Sequence, residues 1–240
     1  MYTLPNTYRR DCWLGALGAA LMLVGDLCLS VIPAAQGDQG LFLRETYLRG
    51  AWETWRLPLL AATGLLGMAL GFFTVRASYF QIKPAYRKTR LAVLIGGVIY
   101  LTSAGVLHFM IGSLADWTST LSPLLGREQT AALIAAQYAR LSPPMLIAYA
   151  GMLLLILAST WAVFTGKTFL PRKLLLFGML LWQIVFVGIP DVRQALGAKI
   201  STWDFVLSQG SGNAALLIWM IANAVWAGRQ KAPAGAAHAA

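Results

Sequence analysis

Residues 13–32 read WLGALGAALMLVGDLCLSVI, an apolar stretch that carries one carboxylate, Asp26. A helix of about twenty residues rises about 30 Å, which is the thickness of a bilayer's hydrocarbon core. Small residues such as Gly15, Gly18 and Gly25 recur beside Asp26 at steps of three and four, and they let another helix approach closely. Because a charge facing lipid is costly, the sequence predicts a spanning helix that turns Asp26 into a helical bundle.

The composition indicates a membrane protein rather than a soluble domain. Hydrophobic residues make up 58% of the 240 residues and charged residues only 12%, against about half and about a quarter in an average soluble domain. The formal net charge of +10 does not indicate a nucleic-acid partner, because the basic residues lie in short clusters between apolar stretches. Cys12 and Cys28 would lie about 24 Å apart on one helix, too far for a disulfide.

Five further apolar stretches are long enough to cross a bilayer. Together with the first, the predicted spans are 13–32, 57–76, 91–112, 143–164, 173–189 and 213–228. We therefore expect an all-α, polytopic transmembrane bundle of about six spanning helices. It forms a single domain, residues 1–231, followed by a disordered tail, residues 232–240. We expect the first span to be retained, because it is longer than a signal-peptide core and more spans follow it.

Two amphipathic helices are predicted outside the membrane, on the outer side. Residues 41–56 place four apolar side chains along one helical side, as in a helix lying at the membrane surface: Leu41, Leu48, Trp52 and Trp55. Residues 127–141 begin with Glu128 and end with Arg140, which matches the helix dipole. Prolines are expected at the boundaries of the spans, with Pro58, Pro143 and Pro144 at starts and Pro190 at an end.

The basic residues predict an orientation. Most of the 19 lysines and arginines fall in the segments on the side of the two termini, so we expect both termini in the cytoplasm and the chain in a bacterial inner membrane. Three glycines in the second span, Gly64, Gly67 and Gly71, either pack within the bundle or join two copies of the chain. The sequence leaves both possibilities open.

Polar side chains near the outer ends of the spans form the predicted site. His108 lies at a depth comparable with Asp26, and a third helix continued past Gly112 brings Asp116 onto the same side. We expect Asp26, His108 and Asp116 to converge as catalytic residues on an outward-opening pocket. The residues expected to bind the substrate lie in the same layer: Glu53, Tyr100, Trp117, Gln183, Asp191, Arg193 and Asn213.

Structural roles are the alternative for each of these residues. Asp26 and His108 can simply join neighbouring helices, and Glu53 can pair with Arg56 three residues later. Asp116 and Asp191 can be solvated residues at helix ends. Trp117 can anchor the chain at the membrane surface.

Acid–base chemistry on an apolar molecule is the predicted function. A carboxylic acid in an apolar pocket keeps its proton more readily and can act as a general acid, which suits a lyase or isomerase acting on a lipid or isoprenoid. The alternatives are a transporter of protons or cationic solutes and a non-catalytic scaffold subunit. No cofactor and no metal is expected, because the sequence contains no Gly-rich phosphate loop, no CxxC pair and no lysine in mid-span. The expected partners are membrane lipid and a hydrophobic small molecule.

Two resemblances accompany this interpretation. The small helical size and the few acids at one membrane face resemble the integral-membrane terpene cyclases and the emopamil-binding proteins, in architecture only, so no catalytic residue is carried over. The tripeptide Gly25-Asp26-Leu27 in the first helix, with the general layout, resembles an uncharacterised bacterial family of multi-pass membrane proteins. That resemblance implies no activity.

Overall fold

The computed structural model describes residues 3–35, 38 and 43–230. Helices dominate this part of the chain, which also contains an isolated β-bridge between Ile82 and Thr168. The helices are α1 (Tyr8–Ser30), α2 (Glu45–Leu48), α3 (Arg56–Phe80), α4 (Arg87–Leu125), α5 (Arg127–Phe164), a 3₁₀ helix (Arg172–Phe177), α6 (Met179–Ala195) and α7 (Thr202–Arg229). Within the described ranges, six helical stretches are long and apolar enough to cross a membrane, which confirms the predicted fold class. The predicted tail, residues 232–240, lies outside the described residues.

The long helices form an open ring. Its neighbours in order are α5, α4, α3, α1, α7 and α6, each packed along the next, whereas α5 and α6 touch at few positions. We call the end where α1 begins and α7 ends the termini end, and the opposite end the distal end. The gap between α5 and α6 is the one place where the ring is not closed by tight packing.

Glycines set the close helix contacts in this ring. A Cβ on Gly18 of α1 would lie 2.8 Å from the Gly67 carbonyl oxygen of α3, so only glycine lets these two backbones approach so closely. A Cβ on Gly64 would meet His108, and one on Gly71 would meet Leu101, both on α4. The glycines considered for an interface between two copies are thus used inside the chain, and a homo-oligomer no longer has this support.

The helices α4 and α5 are longer than the predicted spans. At about 1.5 Å per residue each measures nearly 60 Å, roughly twice the hydrocarbon core of a bilayer. The predicted outer helix over residues 127–141 is the first part of α5, and Pro143 and Pro144 lie inside that helix rather than at a start. The Ser142 hydroxyl donates a 2.7 Å hydrogen bond to the Ala139 carbonyl, the acceptor that Pro143 leaves without its usual N–H partner.

The other predicted outer helix is much shorter than expected. Residues 41 and 42 lie outside the described residues, and of residues 43–55 only Glu45–Leu48 are helical. Gly50 adopts a φ of 72°, which turns the chain sharply. As a result Trp52 is buried against Tyr47 while Trp55 is exposed, so these two tryptophans do not share a helical face.

Two further boundaries differ from the prediction. Pro190 lies within α6, which continues to Ala195. The helix α7 begins at Thr202 rather than near residue 213, because Ser201 and Asp204 form a capping box in which the Ser201 N–H donates to Asp204 Oδ2 at 2.7 Å. Because the first half of α7 is polar, hydropathy does not predict where this helix begins.

The largest apolar cluster among the described residues lies towards the termini end. It brings together side chains of α1, α5 and α7 with Leu174 of the 3₁₀ helix, and it includes Leu155, Trp219 and Met220. The Tyr8 hydroxyl donates a 3.0 Å hydrogen bond to Asn223 Oδ1 and ties the start of α1 to α7. The polar residues of interest lie distal to this apolar layer.

Candidate functional site

Asp26 and His108 contact each other across the ring. His108 Nε2 of α4 lies 3.2 Å from Asp26 Oδ1 of α1, and their side chains are 13% and 10% exposed. Two glycines make room for the imidazole, because a Cβ on Gly25 would lie 2.9 Å from His108 Nδ1 and one on Gly64 would lie 3.3 Å from His108 Cβ. His108 thus packs against the side of α1 that carries the small residues.

Two residues extend this pair into a network. Asn213 of α7 donates a 2.8 Å hydrogen bond from Nδ2 to Asp26 Oδ2, and the Tyr100 hydroxyl of α4 donates a 3.0 Å hydrogen bond to Asn213 Oδ1. Both oxygens of the Asp26 carboxylate therefore have a donor. This is how a buried carboxylate is kept at tolerable cost.

A cavity of about 390 Å³ adjoins the network. Its wall includes the four network residues, and helices α1, α4, α5, α6 and α7 all contribute to it. Apolar side chains make up much of the rest, among them Leu29, Leu107, Ile111, Met152, Val187 and Phe205. A mainly apolar cavity of this volume with a few converging polar groups is typical of a small-molecule site.

A second set of polar side chains lies on the α6–α7 side of the cavity. Gln183 of α6 donates a 2.8 Å hydrogen bond from Nε2 to Ser211 Oγ of α7, and Ser211 donates to the Ser208 carbonyl. Gln209 also lines the cavity. We call Gln183, Gln209 and Ser211 the amide cluster.

Several enclosed polar atoms of this site lack a hydrogen-bond partner among the described residues. They are His108 Nδ1, Gln183 Oε1 and both amide atoms of Gln209. Buried polar atoms are nearly always paired in native proteins, since each one left unpaired costs about 1–3 kcal/mol. A bound molecule that pairs with such atoms at the cavity would recover part of this cost.

The structure brings together only part of the predicted site. Asp26, Tyr100, His108, Gln183 and Asn213 all line the cavity. The remaining members are absent from that wall, namely Glu53, Asp116, Trp117, Asp191 and Arg193.

Each of these five residues lies elsewhere for a physical reason. Asp116 and Trp117 follow on α4 about 12 Å beyond His108, and Trp117 is 50% exposed. Glu53 pairs with Arg56 in a short contact. Asp191 is exposed on α6, and Arg193 donates to Asp204 Oδ1 at 3.0 Å.

A buried arginine, Arg44, lies against one residue of the cavity wall, and the sequence did not predict this contact. The Arg44 guanidinium lies 4.1 Å above the Phe205 ring, which lines the cavity. It donates to the carbonyl oxygens at the end of α1, those of Leu29, Ser30 and Ile32, and it pairs with Asp38. A local pattern carries no signal for such contacts, because they join segments that meet only in the fold.

No metal site accompanies the network in the described part of the chain, where no three His, Cys, Asp or Glu side chains are placed to hold an ion. The chemistry available at the cavity is proton exchange by a histidine–carboxylate pair and hydrogen bonding by amides and hydroxyls.

Comparison with known proteins gives a family without an assigned activity. Residues 1–224 match the model of a family described as a family of unknown function, DUF6796. No curated protein and no solved structure matches the chain. The chain belongs to the DUF6796 family of unknown function.

Proposed function

We infer that this protein is an integral membrane protein that binds a hydrophobic molecule, of the lipid or isoprenoid type, in the central cavity. The Asp26–His108 pair then exchanges a proton with the polar end of that molecule. One observation carries the proposal: a histidine–carboxylate pair, fixed by Asn213 and Tyr100, lines a largely apolar cavity.

The pair suits general acid–base chemistry. As an imidazolium, His108 carries a proton on each ring nitrogen, with Nε2–H donated to Asp26, and the carboxylate stabilises this charge. The pair can then give one proton to a ligand atom and leave His108 neutral. The proton returns to the pair when the product atom is deprotonated or when water reaches the cavity. An apolar wall strengthens each of these interactions by lowering the local dielectric.

The packing favours a pocket over a conduit. The apolar cluster around Trp219, Met220 and Leu155 fills the bundle on the termini side of the cavity. A transporter needs a path on that side, and a scaffold needs no cavity beside its buried ion pair. Both alternatives are therefore less well supported than a binding site.

Orientation is part of the proposal. The termini end carries basic side chains such as Arg9, Arg76, Lys83 and Arg229, which supports a cytoplasmic position for both termini in a bacterial inner membrane. The cavity then belongs to the outer half of the bilayer.

The proposal is tested by extracting the protein, purified in mild detergent, with organic solvent and identifying the extracted molecules by mass spectrometry. We expect one apolar compound at a stoichiometric level in the parent protein and a loss of at least tenfold in Asp26→Asn. The matched control is Glu128→Gln, which removes a carboxylate charge at the exposed first turn of α5. This variant retains the compound.

Two results would contradict the proposal. One is an extract with only the bulk phospholipids in the proportions of the surrounding membrane. The other is equal retention of the compound by Asp26→Asn and Glu128→Gln.

A further inference from the structure

The amide cluster indicates what kind of polar group the cavity accepts. Gln183 Oε1 and Gln209 Oε1 are acceptors that need a donor, and Gln209 Nε2 is a donor that needs an acceptor. Gln183 Oε1 lies 3.7 Å from the position of a Cβ on Gly212, where the glycine leaves space. A ligand group that both donates and accepts can pair with one amide oxygen and with Gln209 Nε2 once these flexible side chains turn towards it.

Charged groups suit these atoms less well than a hydroxyl group. A phosphate or carboxylate ion offers acceptors alone and leaves both amide oxygens unpaired, whereas a hydroxyl group pairs with one amide oxygen and with Gln209 Nε2 at once. An ammonium pairs with both amide oxygens but leaves Gln209 Nε2 unpaired, and the two Asp26 oxygens that would balance its charge already face His108 and Asn213.

The charges around the cavity give an independent reason. Among the described residues that line it, none is a lysine or an arginine, and the carboxylate of Asp26 is there. Arg44 is the nearby cation above Phe205, but its nitrogens already donate to Leu29, Ser30, Ile32 and Asp38. An anionic head group would meet Asp26 without a free cation to balance it.

The walls and the ring indicate how the rest of the ligand lies. The helices α5 and α6, on the two sides of the gap, carry exposed apolar side chains such as Leu146, Leu153 and Ile184. Arg44 covers the ring of Phe205, which α7 contributes to the cavity wall. A molecule with a long apolar chain can therefore reach the cavity sideways between α5 and α6.

We propose that the ligand of this cavity is an uncharged long-chain alcohol or related neutral lipid, whose hydroxyl group binds the amide cluster and whose chain extends towards the gap between α5 and α6. This inference rests on the proposed function and narrows its substrate class. It excludes phosphorylated and carboxylated lipids as substrates of the site.

The test measures binding of tritiated farnesol to the purified protein in detergent, with farnesyl phosphate and farnesylamine as competitors. We expect saturable binding of farnesol, and competition at least tenfold weaker from the phosphate and from the amine than from unlabelled farnesol. Gln183→Leu should weaken farnesol binding at least tenfold. The same substitution at Gln194, exposed on the same helix, should leave the affinity unchanged.

Thermal unfolding of each variant shows whether it is folded, and Gln209→Leu serves as a second variant with the same expected loss. Competition by farnesyl phosphate equal to that by farnesol would overturn the neutral head group while leaving a lipid-binding cavity in place. Tighter binding of farnesylamine than of farnesol would overturn the neutral head group and indicate a cationic head group that binds Asp26. Equal affinities of the Gln183→Leu and Gln194→Leu proteins would overturn the role of the amide cluster.

Absence of saturable binding by all three compounds would also overturn the inference. The proposed function is decided separately by the extracted molecules, so its failure is distinguishable from this one.

Discussion

Asp26 is the residue on which the site depends, and its surroundings are unusually specific. Its two carboxylate oxygens face different helices, one towards His108 of α4 and one towards Asn213 of α7. Removing one partner of a buried charge costs more than the net contribution of the bond, because the remaining charge stays desolvated. Tyr100 adds a third link by donating to Asn213.

The link between Tyr100 and Asn213 is expected to show up as energetic coupling. We predict that Tyr100→Phe and Asn213→Leu together destabilise the protein less than the sum of the single changes, with a coupling energy of about 1 kcal/mol. The measurement is a double-mutant cycle in detergent. In the control cycle Tyr149→Phe, which also lines the cavity but has no hydrogen bond to Asn213, replaces Tyr100→Phe. Additivity in both cycles would contradict the network.

The depth of a residue along a spanning helix can be predicted from sequence. The direction in which its side chain points around the helix axis can be predicted only in part. The spacing placed Asp26 and His108 at one level because each lies near the distal end of an apolar span. Asp116 shares a helix with His108, but eight residues further along it projects beyond the cavity. The contacts of Arg44 could not be predicted, because its partners Leu29 and Phe205 belong to distant parts of the sequence.

At the scale of elements, glycines decide where helices meet and polar residues decide where they begin. The apolar spans were predictable by composition, and the first turns of α5 were predicted from their charges as a separate helix over residues 127–141. The sequence did not predict that these turns continue through Pro143 into the span, or that α7 begins at Thr202, because hydropathy gives no signal there. Ser142 and the Ser201–Asp204 box supply hydrogen bonds that extend helices past prolines and polar segments. Hydropathy alone does not register such bonds.

The packing of His108 between α1 and α3 gives a prediction for Gly25. We expect Gly25→Ala to lower the free energy of unfolding by about 1–3 kcal/mol, because the new methyl group displaces the imidazole. Gly188→Ala on α6 is the matched control, since no atom lies within 4 Å of its Cβ position. That change should be neutral or stabilising by up to about 1 kcal/mol. Equal effects at both sites would argue against the close packing of His108.

The short helix α2 is joined to α5 by an ion pair that gives a pH dependence. Arg127 donates to both carboxylate oxygens of Glu45, at 2.7 and 2.5 Å, and these hydrogen bonds hold the pKa of Glu45 below its ordinary value of 4.5. Because the pKa is lowered in the folded state, the stabilisation is complete above pH 4.5 and is lost as the pH falls through the lower folded-state pKa.

Glu45→Gln should therefore lower the melting temperature at pH 7, by no more than about 4 °C. The difference from the parent protein should shrink as the pH falls below 4.5 and vanish once Glu45 is protonated in the folded state. Differential scanning fluorimetry over a series of pH values from 7 downwards measures it. A difference that stays the same at every pH would show that the ion pair is not its cause.

At the scale of the whole molecule, the open ring explains why a cavity exists in so small a bundle. Tight packing runs from α5 through α4, α3, α1 and α7 to α6, and the two ends of this series are not packed along each other. The space between them is filled by apolar side chains towards the termini end and left partly open beyond it. This incomplete ring is a property of the whole fold, and the sequence of a single span does not predict it.

The proposed orientation is tested with topology reporters. We predict that alkaline phosphatase inserted at Gly126, the turn between α4 and α5, is active, because that turn lies at the distal end. The same enzyme fused after the last residue should be inactive, and a green fluorescent protein should give the reverse pattern. The opposite result at both positions would invert the orientation.

The most direct test asks what occupies the cavity in the living membrane. The photoreactive residue p-benzoylphenylalanine is introduced at Phe205, which lines the cavity, and in a separate variant at Phe109, which is 51% exposed on α4. After irradiation, we predict one dominant apolar adduct at Phe205 and a mixture of membrane phospholipids at Phe109. The same phospholipid mixture at both positions would contradict a cavity that selects a hydrophobic molecule beside Asp26 and His108.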